Sequence, residues 1–312
     1  MTMKRALLLG LFLLPFLSLM AQEEGEAGLS PLFFPEQKAQ LPKETNETSG
    51  LFFHNGHLWT HNDSHGKPML YALDTTTFEI VQRINLVNAK NKDWEDVCSD
   101  GENVYVGDFG NNKGKRKNLR IYTFPLSAIP DEGDATIMVD SITFRFADQK
   151  SFNHKKRKHD FDCEAIFATD SNLYLFSKGW ATGTTRMYRL PKTPGPQGAN
   201  VVNSFDSQGL ITGADYDRKR HILVVVGYEK PIKDGLFSPF MYLIFGFEED
   251  GVKLSHRRFE MPQWIGTQTE GICFFDDGRC FVSAETTSIR ASRVFVVDFR
   301  KWIEEEQKNS EQ

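Results

Sequence analysis

The stretch "EDVCSDGENVYVGDFG", Glu95 to Gly110, joins an acidic start to two short apolar runs that are separated by Asp100-Gly101. Asp-Gly supplies the positive φ angles that a tight hairpin turn requires, so the two runs are predicted to pair as antiparallel strands. Glu95 begins the first predicted strand and Asp108 ends the second. The stretch therefore predicts a β-hairpin with carboxylates at its open end, opposite the turn.

The same pattern recurs four more times along the chain, at intervals of roughly 45 to 70 residues. The other copies are SGLFFHNGHLWTHND (49–63), EAIFATDSNLYLFSKG (164–179), GADYDRKRHILVVVGY (213–228) and EGICFFDDGRCFVSAE (270–285). A further apolar run follows each copy, and a fourth run fits after most of them. Four strands at such a period are typical of one propeller blade, so the chain is predicted to be an all-β propeller.

Six four-stranded blades are predicted, with five or seven as alternatives. Five blades are visible in the repeat, and the sixth is expected from Asp134–Phe146 or from the two chain ends. The longest interval between copies, from Glu95 to Glu164, leaves room for it. A β-sandwich is the rival fold, but it does not explain one hairpin pattern repeated five times.

The first residues of the chain predict export. Lys4 and Arg5 precede an apolar run over residues 6–17, and Ala21 offers a small residue at the cut, as in a secretory signal peptide. A bilayer span needs about 20 apolar residues, and no run in the chain is long enough. A periplasmic or extracellular protein is expected. The predicted domains are a signal peptide at 1–21, one propeller at 22–303 and a polar tail at 304–312.

Charge and cysteine content exclude some classes of partner. The formal net charge is −5, and it becomes −7 once Lys4 and Arg5 are removed, which argues against nucleic acid. No CxxC spacing that suits a zinc site occurs among the four cysteines. The protein is expected to be a monomer.

The predicted fold gathers acidic residues at one place. In a propeller the first strand of each blade lines the central channel and the second returns beside it, so strand-one starts and strand-two ends share one face. The starts are Ser49, Glu95, Glu164, Gly213 and Glu270, and the ends include His61, Asp63, Asp108, Lys178, Tyr228 and Glu285. We call this predicted cluster the acidic mouth of the channel.

Carboxylates that converge on an axis must share protons, pair with cations or bind a metal ion. Oxygen-only ligands favour Ca²⁺ or Mg²⁺, so Glu95, Glu164 and Glu270 are the predicted metal ligands. In the alternative interpretation, each glutamate accepts backbone N–H groups of a neighbouring blade and closes the ring. The predicted ligand-binding residues are Asp63, Asp108, Lys178 and Glu285. Candidates for catalysis are His61, Asp108 and Lys178, and His61 is the best-placed histidine for a general base.

Two basic loops contrast with the acidic mouth. They are HKKRKHD (154–160) and NNKGKRKNLR (111–120). Charge runs of this kind usually form solvated loop tips. Binding of an anionic glycan, a phosphate or an acidic polymer is the alternative.

The blade starts SGL, EDV, EAI and EGI, with the pattern DWEDV…VYVGDFGNN…R…IYTF, resemble exported bacterial propellers of the SdiA-regulated and phytase-like group. More distantly, they resemble the NHL-repeat, gluconolactonase and paraoxonase propellers. The resemblance covers about residues 44–299 and implies the propeller fold. In the gluconolactonase and paraoxonase propellers, a calcium or other divalent ion lies on the axis, with a glutamate at the start of an inner strand as one ligand. The resemblance implies that role for Glu95, Glu164 and Glu270.

The predicted function is an exported binding module that holds a small-molecule, glycan or protein ligand on the loop-rich face around the channel, with an axial divalent ion. The alternative is a metal-dependent hydrolase of lactones, esters or phosphate esters. A scaffold within an envelope assembly is a third possibility.

Overall fold

The computed structural model describes residues 30–64, 66–229, 236–247 and 252–310. The predicted signal peptide at 1–21 lies outside these ranges. The strands are β1 (Glu36–Gln40), β2 (Thr48–His54), β3 (His57–Asn62), β4 (Met69–Asp74), β5 (Ile80–Leu86), β6 (Trp94–Ser99), β7 (Asn103–Asp108), β8 (Leu119–Pro125), β9 (Ala135–Ile137), β10 (Asp140–Phe146), β11 (Asp162–Ala168), β12 (Asn172–Lys178), β13 (Thr184–Pro191), β14 (Gly195–Asp206), β15 (Leu210–Asp217), β16 (Ile222–Glu229), β17 (Ser238–Phe247), β18 (Val252–Glu260), β19 (Thr269–Phe274), β20 (Arg279–Ala284) and β21 (Arg293–Asp298). One helix, α1, spans Arg300–Ser310, and short 3₁₀ turns lie at Lys43–Thr45, Leu126–Ala128 and Pro262–Trp264.

Most strands fall into five antiparallel groups of four, which we call blades 1 to 5. They are β2-β3-β4-β5, β6-β7-β8-β10, β11-β12-β13-β14, β15-β16-β17-β18 and β19-β20-β21-β1. The first strands, β2, β6, β11, β15 and β19, contact one another in a closed ring. The predicted all-β propeller is confirmed.

A sixth blade does not appear among the described strands. The segment Asp134–Phe146, which was expected to contribute to it, is divided between two existing blades. Its first part, β9, adds a fifth strand parallel to β5 at the edge of blade 1. Its second part, β10, is the outer strand of blade 2 and also pairs in parallel with β14 of blade 3. Sequence periodicity alone did not distinguish a new blade from strands that cover the edges of neighbouring ones.

The two ends of the described chain meet on blades 4 and 5. β1 pairs with β21 as the outer strand of blade 5, and Phe33 N–H donates to the Glu260 carbonyl at the edge of blade 4. Helix α1 was not predicted from the sequence, and it runs across the expected boundary between propeller and tail at 303/304. It buries Ile303 in the same apolar cluster as Phe33 and Phe259.

Local sequence explains the hairpins. Asn55 and Gly56 adopt φ angles of 48° and 75°, as the two-residue turn between β2 and β3 requires. Gly101 and Gly278 also have positive φ, in the Asp-Gly turns of blades 2 and 5. The inner strands are buried almost throughout, because both of their faces pack against neighbouring blades.

Buried side chains tie adjacent inner strands together. Asp96 accepts hydrogen bonds from its neighbour Val97 N–H at 2.8 Å and from Ile166 N–H of blade 3 at 2.9 Å. Asp215 accepts from Phe274 N–H of blade 5 in the same way, at 2.8 Å. A buried N–H without such a partner costs about 1–3 kcal/mol. The ring-closing role that was considered for the glutamates therefore belongs to these aspartates.

The four cysteines, Cys98, Cys163, Cys273 and Cys280, are all buried and free. In this hairpin, Cys273 lies opposite Phe281, and Cys280 lies opposite Phe274. The two cysteines therefore do not face each other. Among the described residues, no helix has the length and apolar character required to cross a bilayer.

Candidate functional site

Each inner strand carries a register irregularity near its start, and these irregularities build the mouth of the channel. The pairing of β6 with β7 passes from Trp94 to Asp96 and leaves Glu95 out of register. Glu164 is left out in β11 and Glu270 in β19. A β-bulge redirects the side chain of the extra residue. In blade 4 the corresponding residue is Thr212, one position before the predicted Gly213.

The three glutamates are brought to one region, as the repeat predicted. All three are more than nine-tenths buried, with exposures of 6% for Glu95, 2% for Glu164 and 6% for Glu270. Burial and the charge of Glu164 raise the pKa of Glu95 well above its ordinary range. Their local environments, however, differ.

Glu164 forms a buried ion pair with Lys178. Lys178 Nζ lies 2.9 Å from Glu164 Oε2, and both side chains are almost fully buried. Burial by itself lowers the pKa of Lys178, but the negative charge of Glu164, with a smaller effect from Glu270, outweighs it and holds that pKa well above its ordinary value. Lys178 is therefore a permanent cation in the mouth.

Glu270 lies between a donor and a second carboxylate. Gln268 Nε2 donates to Glu270 Oε1 at 2.6 Å. Burial raises the pKa of Glu270 to about 7, and Lys178 opposes the rise. Burial and the charge of Glu270 raise the pKa of Glu285 to about 9. Glu285 is thus protonated at neutral pH and can donate a hydrogen bond.

Glu95 belongs to a separate cluster with Asp63 and Asp93. One carboxylate oxygen from each of the three lies within 4.8 Å of the others. Burial, followed by the charges of Asp63 and Asp162, raises the pKa of Asp93 to about 6. In the part of the chain that the structure describes, no donor is hydrogen-bonded to the carboxylate of Glu95 or Asp93. We call this cluster the carboxylate triad.

Gly110 and Arg116 shape the space beside the triad. A Cβ at Gly110 would overlap Glu95 Oε1 and the Asp93 carboxylate, so both carboxylates pack directly against this glycine. Arg116 donates to the carbonyls of Gly110 at 2.8 Å and Asp108 at 2.9 Å, and pairs with Asp108 Oδ1 at 2.9 Å. Asp108 Oδ1 also accepts from Asp93 N–H at 3.2 Å. Asp108, predicted as a ligand-binding or catalytic residue, is thus placed to position Asp93.

His61 is placed as a packing residue. Its side chain is fully buried, and its ring meets the Trp94 ring edge-on at 5.5 Å between centroids. Burial lowers the pKa of His61 to about 4, so the ring is neutral at physiological pH. A general base must reach a bound water, and this ring has no exposed surface from which to do so.

The prediction thus divides into two parts. The mouth contains the predicted Asp63, Lys178 and Glu285 together with the three inner glutamates, and the charges of these residues act on one another. The predicted metal set does not form one cluster, because Glu164 is paired with Lys178 and Glu270 with Gln268. Asp93 was not among the predicted metal ligands. Its position two residues before Glu95 was the sequence feature that could have indicated it, because side chains two residues apart share one face of an extended segment.

A cavity of about 490 Å³ lies away from the mouth, between blades 1 and 5. Phe53 and Phe275, two of its lining residues, stand next to the hairpin turns at the opposite end of their blades. Six of its twelve lining residues are phenylalanines, and its charged residues are held in local ion pairs, Glu36 with Lys38, Arg279 with Asp276 and Asp298 with Arg300. We assign the functional site to the mouth.

The chain is similar to known proteins in structure rather than in sequence. No family model matches the chain, and no curated protein matches it. Among solved structures, the chain is similar to a glucose dehydrogenase, at 10% identity and a TM-score of 0.45, with 83% of this chain and 98% of that chain covered.

The chain is also similar to a bifunctional GH43-CE protein of Bacteroides eggerthii, at 13% identity and a TM-score of 0.50. This match covers 87% of the chain but 34% of that protein, so the chain spans about one third of its length. At this identity, the likeness shows the propeller fold alone.

Proposed function

We propose that the protein is a ligand-binding propeller that holds a divalent cation in the carboxylate triad and binds its ligand over the mouth. The observation that carries the proposal is the meeting of Asp63, Asp93 and Glu95 within 4.8 Å. The two nearby cations of the described chain, Arg116 and Lys178, form their ion pairs with Asp108 and Glu164 instead. Mutual repulsion among buried carboxylates is relieved by a bound cation or by protons.

The donor set suits Ca²⁺ or Mg²⁺. All three ligands are carboxylates, and hard cations prefer oxygen ligands. Gly110, which has no Cβ, lets the carboxylates of Glu95 and Asp93 lie side by side against the backbone. The resemblance to gluconolactonase and paraoxonase propellers agrees with an ion on the axis. We further propose that the protein is exported, as its first residues predict.

Calorimetric titration of the EDTA-treated protein with Ca²⁺ tests the cation. We expect saturable binding, and at a hundredfold excess over the dissociation constant a gain of about 2.7 kcal/mol in unfolding free energy. Glu95→Gln should abolish both effects. Glu132→Gln, at an exposed position, removes the same charge and should change neither. A wild-type protein that binds neither Ca²⁺ nor Mg²⁺ would remove the cation from the proposal.

A metal-dependent hydrolase is the second candidate function. The observation that favours it is the raised pKa of the buried Glu285. A carboxylic acid that stays protonated at neutral pH can act as a general acid toward a leaving group. A cation in the triad would supply Lewis-acid polarisation of a carbonyl or phosphoryl oxygen.

Lactone, aryl-ester and phytate substrates, assayed with Ca²⁺, test this candidate. For a hydrolase we expect turnover that both Glu95→Gln and Glu285→Gln reduce. Turnover unchanged by both variants would exclude these residues from the chemistry. The absence of turnover on all three substrate classes would favour the binding module.

A further inference from the structure

The two basic loops form one surface. Asn112 joins them, because its carbonyl accepts from Arg157 N–H at 2.9 Å and contacts His159 Nε2 at 3.2 Å. Its side-chain oxygen accepts from Arg157 Nε at 3.2 Å. Gln149 Nε2 adds a bond to the Gly114 carbonyl at 3.0 Å. The loops at 111–120 and 154–160 are thus held together by hydrogen bonds rather than left as separate solvated tips.

This surface concentrates positive charge without compensation. We call it the basic platform, and its exposed cations are Lys113, Lys115, Lys117, Lys155, Lys156, Arg157 and Lys158. None of the seven takes part in an ion pair with another described residue. Like charges held together repel one another, and the platform lies on a protein of net charge −5. The hydrogen bonds that join the two loops oppose this repulsion. An anionic partner bound to the platform would relieve it.

The basic platform adjoins the mouth through an aromatic residue. The Arg157 guanidinium lies 4.4 Å from the centre of the Trp180 ring, and Lys178 Nζ lies 5.3 Å from the same ring. Trp180 Nε1 donates to Asp162 at 2.7 Å. A second ring, Phe152, lies under Lys117 at 5.1 Å. Cations therefore alternate with aromatic faces along the platform.

We infer that the basic platform binds an anionic polysaccharide. Lysine side chains suit carboxylate, sulfate or phosphate groups spaced along a flexible chain, and the Trp180 and Phe152 rings hold Arg157 and Lys117 in place through cation–π contacts. A nucleic-acid site is disfavoured, because such domains are usually basic overall and this chain has a pI near 5.9. The platform is separate from the carboxylate triad, and its ligand does not depend on a bound cation.

Binding of the full mature chain to heparin and to polygalacturonate tests the inference, with neutral dextran as control. We expect both polyanions to bind and dextran not to bind. The variant Lys155→Gln/Lys156→Gln/Lys158→Gln should weaken polyanion binding by roughly tenfold, and salt should weaken it in wild type. The matched control Lys219→Gln/Lys301→Gln/Lys308→Gln removes the same charge from exposed positions elsewhere. It should leave affinity within roughly twofold of wild type.

Further measurements separate this site from the proposed cation site. EDTA and Glu95→Gln should leave polyanion binding unchanged, so failure of the cation proposal does not affect this one. Loss of polyanion binding in Glu95→Gln would overturn the assignment to the platform. So would equal losses in the two triple variants, no wild-type binding to either polyanion, or tighter binding to a single-stranded oligonucleotide than to both.

Discussion

At the residue scale, Lys178 decides which glutamates remain available to a ligand. Its ammonium is almost fully buried and pairs with Glu164 at 2.9 Å. A buried ion pair is a weak source of stability, but removing one partner leaves an uncompensated charge in a poorly solvated site. The pair therefore leaves Glu164 less available than Glu95 to the proposed cation.

The variant Lys178→Met should lower the free energy of unfolding by about 3 to 5 kcal/mol, because Glu164 is left buried without its counter-charge. The double variant Glu164→Gln/Lys178→Met removes both charges and should recover most of that loss. Urea denaturation in cation-free buffer, followed by tryptophan fluorescence, measures both. A double variant no more stable than Lys178→Met would contradict this assignment of the pair.

At the element scale, the start of the described chain fastens the last two blades. β1 completes blade 5, and Phe33 packs against the rings of Phe259 and Trp302 with centroid distances of 5.8 and 5.1 Å. The adjacent Phe34 is 66% exposed. Two neighbouring phenylalanines thus have opposite environments, which offers a matched comparison.

Phe33→Ala should destabilise the protein by about 3 kcal/mol or more, because it empties a ring-sized volume among Phe259, Phe299 and Trp302. Phe34→Ala should change the unfolding free energy by less than about 0.5 kcal/mol. Thermal and urea unfolding of both variants measure the difference. Equal effects would show that the segment does not fasten blades 4 and 5 in solution.

At the scale of the whole molecule, the mouth makes stability depend on pH. The folded pKa values of Asp93, Glu270 and Glu285 are about 6, 7 and 9, all above their ordinary values. The folded state therefore holds more protons than the unfolded state between about pH 4 and 9, and its stability falls as pH rises through that window. Carboxylates with a lowered pKa, such as Asp74 and Asp298, make the unfolding free energy depend on pH only below this window.

Without divalent cations, the free energy of unfolding should thus be lower near pH 9 than near pH 5, with about 1.4 kcal/mol for each unit of pKa shift that a group carries. If the proposed site binds Ca²⁺, the ion would favour the ionised carboxylates and should reduce the loss at alkaline pH. Urea denaturation across this range, with EDTA or with Ca²⁺, measures both effects. Glu285→Gln should flatten the profile, and a stability that rises with pH in EDTA would contradict the proton count.

The sequence by itself determined the hairpins and the chemistry that they carry. Asn-Gly and Asp-Gly turns, paired apolar runs and a glutamate at three of the five inner-strand starts are local features, and the repeat placed the open ends of the hairpins on one face. Only the tertiary structure decided the number of blades, the pairing of Lys178 with Glu164, and the joining of the two basic loops at Asn112. These depend on contacts between segments far apart in the chain, and on bulges that redirect single side chains. Periodicity within a strand does not encode which neighbour a buried charge will meet.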